Sequence, residues 1–316
     1  MAIVKRVFDV TSSDGIHTLA GAVYVPDGKI RGFFHVVHGM TEYIARYNRL
    51  MKAIAEEGFV CFGYDNLGHG ETARNEGELG YIAKRDGWQL LVRDVKVFSD
   101  AVRAVYDEKK KLPYFLMGHS MGSFIARLAA ENQVRPDGLL VMGTGGPNPA
   151  AGAGLALIGL IKAVKGDRHV SPTIDKIAFG SYNERFGGGT EEDPNPWLTT
   201  DRAVREKYNR DPFCTFKFTV SAMEDLIRLT ANANRSAWYK NLSVHIPVLL
   251  LSGEEDPVGG YGEGVRTVEK KLKATQHDVE CILYAGARHE ILNDFTYEKV
   301  KGDILDFVEL YTALKK

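Results

Sequence analysis

Short apolar runs rich in β-branched and aromatic residues alternate along this chain with longer stretches whose apolar positions recur at helical spacing. The short runs predict strands at 4–10, 19–25, 33–37, 59–64, 114–117, 138–142, 248–251 and 279–284. The first two flank Asp14-Gly15, a turn dipeptide, and read as an antiparallel hairpin. Helical spacing is found over 47–57, 88–109, 124–132, 263–274 and 297–314. Strands that alternate with helices of this length call for right-handed crossovers and a mostly parallel sheet covered on both faces, an α/β fold.

One interval breaks the rhythm. About a hundred residues separate the run ending at Met142 from the one starting at Val248, and none of them reads as a clear strand. Helical spacing appears there over 150–164, 200–208 and 216–231, between breaker clusters at 143–149 and 187–196. A structureless loop of that length does not suit a compact domain, so an inserted helical cap is expected. The chain then divides into a discontinuous core, 1–146 with 247–316, and a cap, 147–246.

Composition excludes several classes. With 316 residues, 44% hydrophobic and 26% charged, the chain is neither disordered nor low in core-forming residues. Forty Lys and Arg balance 41 Asp and Glu, so the basic surface of a nucleic-acid binder is not expected, and Lys109–Lys111 reads as a solvated helix end. Cys61, Cys214 and Cys281 lie far apart, giving neither a disulfide framework nor a Cys-x-x-Cys motif. The first fifteen residues have no apolar signal-peptide core, and the longest apolar run, 150–161, is too short to span a bilayer. A cytoplasmic protein is expected, of open oligomeric state.

The most informative string is Gly118-His-Ser-Met-Gly122, which follows four apolar residues and precedes a helical pattern. G-x-S-x-G between strand and helix forces its serine onto a sharp turn at the sheet's carboxyl edge, with small residues on either side to avoid a clash. A serine in a Gly-rich turn could instead be a helix N-cap. As a nucleophile, Ser120 needs a base, and the base needs a carboxylate. The run at 248–251 leads into Ser-Gly-Glu-Glu-Asp-Pro, offering Asp256 as the carboxylate, with Glu254 and Glu255 as competitors. The last run leads into Ala-Gly-Ala-Arg-His-Glu, which places His289 at the same edge, completing the chain order Ser, Asp, His. Backbone amides of Met121 and of Met40, in the loop after the third run, are the expected oxyanion donors.

Other signals point elsewhere and are weaker. Gly68-His-Gly-Glu-Thr-Ala73 fits part of a dinucleotide fingerprint, but no convincing helix follows it. His35 and His38 sit three apart at a strand end and point to opposite faces, which does not suit zinc. No cofactor or metal is expected. The apolar stretch 150–164 reads as a cap helix packed on the core, or else as an acyl-chain wall or lipid-touching surface. Glu224-Asp225 reads as a surface acid pair, or as the amine site of a peptidase.

Taken together, His38-Gly39 with Glu42, Asp65-Asn-Leu-Gly-His-Gly70, Gly118-His-Ser-Met-Gly122, Asp256 and His289 resemble the α/β-hydrolase superfamily. Within it they resemble the monoacylglycerol lipase and lysophospholipase-like branch, and the resemblance extends to Leu198-Thr-Thr-Asp201 and Tyr208-Asn-Arg-Asp-Pro-Phe-Cys214. The resemblance implies an eight-stranded sheet with a helical cap between the sixth and seventh strands. It also implies a cofactor-independent serine hydrolase of lipid-like or small carboxylic esters. Two strings depart from the branch: Thr41-Glu42-Tyr43, where relatives often carry Gly-Glu-His or Ala-Glu-His, and Leu67, where many carry Arg. An aminopeptidase resembling proline iminopeptidases and a non-catalytic ligand-binding module are the alternatives on the same fold.

Overall fold

The computed structural model describes residues 2–107, 109 and 111–315. Eight strands form one sheet: β1 (Ile3–Thr11), β2 (Thr18–Pro26), β3 (Gly32–Val37), β4 (Phe59–Tyr64), β5 (Tyr114–His119), β6 (Gly138–Met142), β7 (Val248–Gly253) and β8 (Val279–Tyr284). Their spatial order is β1-β2-β4-β3-β5-β6-β7-β8. The β1–β2 hairpin and the β2–β4 pair are antiparallel, and from β4 to β8 every pair is parallel. A mostly parallel sheet is therefore present, as the alternating pattern predicts, with the eight strands that the resemblance implies.

The central strands are buried on both faces, which is why they read as continuous apolar runs rather than alternating ones. Phe33 and Val37 of β3 pack toward α2 (Gly87–Tyr106) and α3 (Met121–Asn132). Phe34 and Val36, one residue out of phase, pack toward α1 (Asn48–Glu56) and the C-terminal helix, Tyr297–Leu314. Two boundaries differ from the sequence expectation. α2 ends at Tyr106, not at residue 109, because Asp107 leaves helical geometry (φ −153°, ψ 68°). Lys109 and Lys111 are exposed beyond its end, and Glu108 and Lys110 lie outside the described residues. α3 begins three residues before the expected 124, directly after Ser120.

Between β6 and β7 the described residues hold five α-helices, α4 (Ala151–Lys165), α5 (Pro172–Phe179), α6 (Arg202–Arg210), α7 (Val220–Ala233) and α8 (Ser236–Asn241), and a 3-10 turn at Glu184–Phe186. The last two helices, α9 (Glu263–Ala274) and α10 (Tyr297–Leu314), return to the sheet. α6 starts two residues late because Asp201 caps it, accepting the N–H groups of Ala203 and Val204 at 2.8 and 3.2 Å. α7 starts four residues late, with Thr219 as its cap, and residues 216–218 lie outside any helix or strand.

The expectation that 150–164 packs on the core holds for one face of the helix only, where Ile158 joins the main apolar core and Ile161 packs against it. α4 lies along α7, and Ile158 is its one buried residue, while Leu160 and Val164 are 69% and 79% exposed. A helix apolar all round does not disclose which face it covers, and here the sheet is already covered by α2 and α3. Among the described residues no helix is long and apolar enough to cross a membrane.

Candidate active site

Ser120 alone makes the turn between β5 and α3, at φ 53° and ψ −121°, a backbone conformation that side chains rarely adopt. The turn is locked by Ser120 N–H donating to Met142 O of β6 at 2.9 Å. A Cβ on Gly118 would lie 2.1 Å from Gly122 O, and one on Gly122 would lie 2.2 Å from Val37 O, so both positions require glycine. The N-cap reading fails, because the Ser120 side chain makes no capping bond to α3. Ser120 instead lines a cavity of about 710 Å³.

Asp256 follows β7 and His289 follows β8, and the two meet. His289 Nδ1 lies 2.9 Å from Asp256 Oδ2, with both residues buried. Asp256 also accepts Val258 N–H at 2.9 Å and Ser252 Oγ–H at 3.3 Å, so its carboxylate is held from both oxygens. An acceptor at Nδ1 puts the proton there and leaves Nε2 free to take another. Of the competing acids, Glu254 is exposed and Glu255 half-buried. Met121 opens α3, Met40 lies in the loop after β3, and both line the cavity with Ser120 and His289.

A buried polar network holds these parts together. Glu42 Oε1 accepts Gly39 N–H at 2.5 Å, Tyr47 O–H at 2.9 Å and His119 Nδ1–H at 3.0 Å. It therefore ties the loop bearing Met40 to the residue before Ser120. Gly39 permits the approach, since a Cβ there would stand 2.9 Å from Ser120 Cβ. His119 Nε2 faces the His289 carbonyl at 3.3 Å. Its two ring nitrogens thus face two acceptors, the Glu42 carboxylate and the His289 carbonyl. Burial opposes a positive charge on this ring, but the Glu42 carboxylate outweighs it and raises the His119 pKa. Burial would likewise raise Glu42, yet His119 and Arg46 hold it far below the usual carboxylate range. Arg46 also reaches Glu290, the neighbour of His289.

The motif at 65–70 serves this loop structurally. Asp65 accepts Ile44 N–H at 2.7 Å and Glu71 N–H at 2.8 Å, and Gly70–Thr72 forms a single 3-10 turn. His38 Nε2 accepts Asn66 N–H at 2.9 Å while Nδ1 lies 2.8 Å from Gly39 O, so both its nitrogens are used. His35 lies against Tyr114 O–H at 3.0 Å, and burial lowers its pKa to about 3.

The cavity has a graded lining. Phe124, Ile158, Ile174, Met223, Leu226 and Ile227 form an apolar wall, while Thr41, Tyr208, Asn209 and Thr215 supply uncharged polar groups. Glu224 and Asp225 are not part of it. Glu224 pairs with Lys162 at 2.8 Å, and Asp225 is buried, accepting the Trp88 N–H of α2 at 3.0 Å. Sequence reasoning left the roles of His119, Arg46 and Glu290 unread. Their signal is faint: an acid three places after Gly39, a cation four further on, and an acid beside His289.

Residues 28–296 match the family described as serine aminopeptidase, S33. Monoglyceride lipase of Mus musculus is 27% identical over 84% of this chain and 77% of its own. Monoacylglycerol lipase of Mycolicibacterium smegmatis is 24% identical over 95% of this chain and 98% of its own. A thermostable carboxyl esterase from Bacillus coagulans superposes with a TM-score of 0.89 at 30% identity, covering 99% of both chains. With the family match spanning most of its length and the eight-stranded hydrolase sheet beneath it, this chain belongs to the S33 serine aminopeptidase family of α/β-hydrolases.

Proposed function

We propose that this protein is a serine hydrolase of lipid-like carboxylic esters, with monoacylglycerol as its favoured substrate. The observation that carries the reading is the buried His289–Asp256 pair, 2.9 Å apart, beside a strained Ser120 that opens into an apolar cavity. Ser120 Oγ attacks the ester carbonyl as its proton passes to His289 Nε2, and Asp256 holds the imidazolium. Amides of Met40 and Met121 bind the oxyanion. As the C–O bond breaks, His289 gives its proton to the leaving alcohol. Water, deprotonated by the same ring, then cleaves the acyl-enzyme, releasing the acid and restoring Ser120.

In this reading residues 147–246 are a cap on a core made of 1–146 and 247–316. The wall from Phe124 to Ile227 would hold the acyl chain, and the uncharged groups suit glycerol better than a phosphodiester. Exposed Leu160, Val164 and Ile177, 68–79% accessible, form an apolar surface through which the cap would touch lipid transiently.

The peptidase reading needs a free acid for the substrate's amine. Glu42, Glu290 and Asp175 line the cavity, but each already faces a cation: Arg46 for the first two and Lys217 for the third. Initial rates on p-nitrophenyl esters of increasing acyl length and on monoacylglycerol, with Ser120→Ala as control, test the proposal. A Ser120-dependent peak at medium or long chains is expected. Turnover of the shortest esters alone would make it a general carboxylesterase. Amide turnover without ester turnover would make it a peptidase, and full activity in Ser120→Ala would overturn the mechanism. Failure of Ser120 to react with a fluorophosphonate would favour a binding module.

A further inference from the structure

His289 has two ring neighbours. His119 lies 4.7 Å away, centroid to centroid, and Trp197 lies 5.0 Å away, each tilted by 40°. Trp197 comes from the insertion, and its place is set by backbone register. On one side Pro196 O accepts from Arg288 Nη1 at 2.5 Å, and on the other Leu198 O accepts Glu290 N–H at 2.7 Å. The residues flanking Trp197 are thus bonded to the residues flanking His289. Thr199 Oγ1 adds a bond to Asn293 O at 2.8 Å. The indole is steadied further by the Tyr182 ring, edge-on at 5.0 Å, and the Trp197 main-chain N–H donates to Asn183 Oδ1 at 3.3 Å.

We infer that Trp197 is a positioning residue for the base: its π face keeps the His289 ring in place and stabilises the imidazolium formed as Ser120 gives up its proton. The inference rests on the Ser120–His289–Asp256 reading. An aromatic face within about 6 Å attracts a cation and gains little from a neutral ring. The contact therefore strengthens as the proton arrives, which is the kind of interaction that raises a rate. The other charged groups facing His289 are Asp256 at Nδ1, His119 with Glu42 behind it, Glu290 paired with Arg46, and Arg288 beside it in the chain. All of these persist when only Trp197 is changed.

The test is the pH profile of kcat/KM for wild type, Trp197→Phe and Trp197→Leu on one p-nitrophenyl ester. Trp197→Leu should lower the plateau about 3- to 30-fold and move the acid limb to lower pH by about half a unit to one unit. Trp197→Phe, which keeps a π face, should recover part of both. In a Ser120→Ala background, tryptophan emission should titrate with His289, because imidazolium quenches indole, and Trp197→Phe or His289→Ala should abolish that step. An acid limb that stays put while the plateau falls would overturn the inference, leaving Trp197 as cavity wall only. Ester turnover surviving His289→Ala would instead bring down the triad reading itself.

Discussion

Arg46 meets Glu290 through two parallel hydrogen bonds of 2.6 and 2.7 Å. The same guanidinium reaches Glu42 at 3.2 Å, so one side chain joins the loop that follows β3 to the residue after His289. The site is thereby clamped from behind, by groups that never reach the substrate's carbonyl. Such a fork is worth most when buried, and its loss is costly because the partners remain charged.

Replacing Arg46 with Leu strands the buried Glu290 carboxylate and leaves Glu42 with His119 as its one remaining cationic partner. The expected loss of stability is about 3–5 kcal/mol, read as a lower urea midpoint with an unchanged slope. Adding Glu290→Gln should restore part of it, since the stranded charge is then removed. Equal midpoints for wild type and Arg46→Leu would show that the clamp contributes nothing to the fold.

Asp225 gives a pH signature. Burial raises its pKa to about 7, with nearby Glu224 adding to the shift and the Trp88 N–H opposing it. The folded state therefore binds a proton that the unfolded chain has already released above about pH 4. Stability contributed by this group falls as pH rises from about 4 to about 7, by an amount on the order of a few kcal/mol. Asp225→Asn keeps an acceptor for the Trp88 N–H and removes the ionisation. Its unfolding free energy should decline less over that window than that of wild type, and parallel curves would refute the assignment.

Ile227, on α7, lines the apolar wall. Ile227→Trp fills space there, at a stability cost of about 1–3 kcal/mol for overpacking. The acyl length giving the highest rate should shorten, while the rate on the shortest p-nitrophenyl esters changes little. An unmoved optimum would place the acyl chain elsewhere.

Much of this architecture is written locally. Strand runs flanked by turn residues disclose the sheet, and Gly118-His-Ser-Met-Gly122 discloses the turn at Ser120, because both depend on neighbours in the chain. What stays hidden depends on distant ones. Glu42 looks like an ordinary solvated acid until its partners converge from β5 and the segment after β3. Asp225 looks like half of a surface pair, yet its burial comes from docking against the start of α2, 137 residues away in sequence. The apolar stretch of α4 gives a helix but not its environment, since an all-round apolar pattern carries no facing direction. Thr219 holds the start of α7 against a pattern that continues upstream of it, because a side-chain cap outweighs periodicity there.

The register between residues 196–199 and the loop of His289 bears on modularity. A segment that lines the cavity beside Ser120 is also bonded, through the carbonyls of Pro196 and Leu198, to the residues flanking His289. Under the proposed mechanism, selectivity and proton transfer are thus inherited together. A chimera that transplants the helices between β6 and β7 from a relative would exchange more than a binding surface. It would retain a working imidazole only if the graft's own chain ran past Arg288 and Glu290 in the same step.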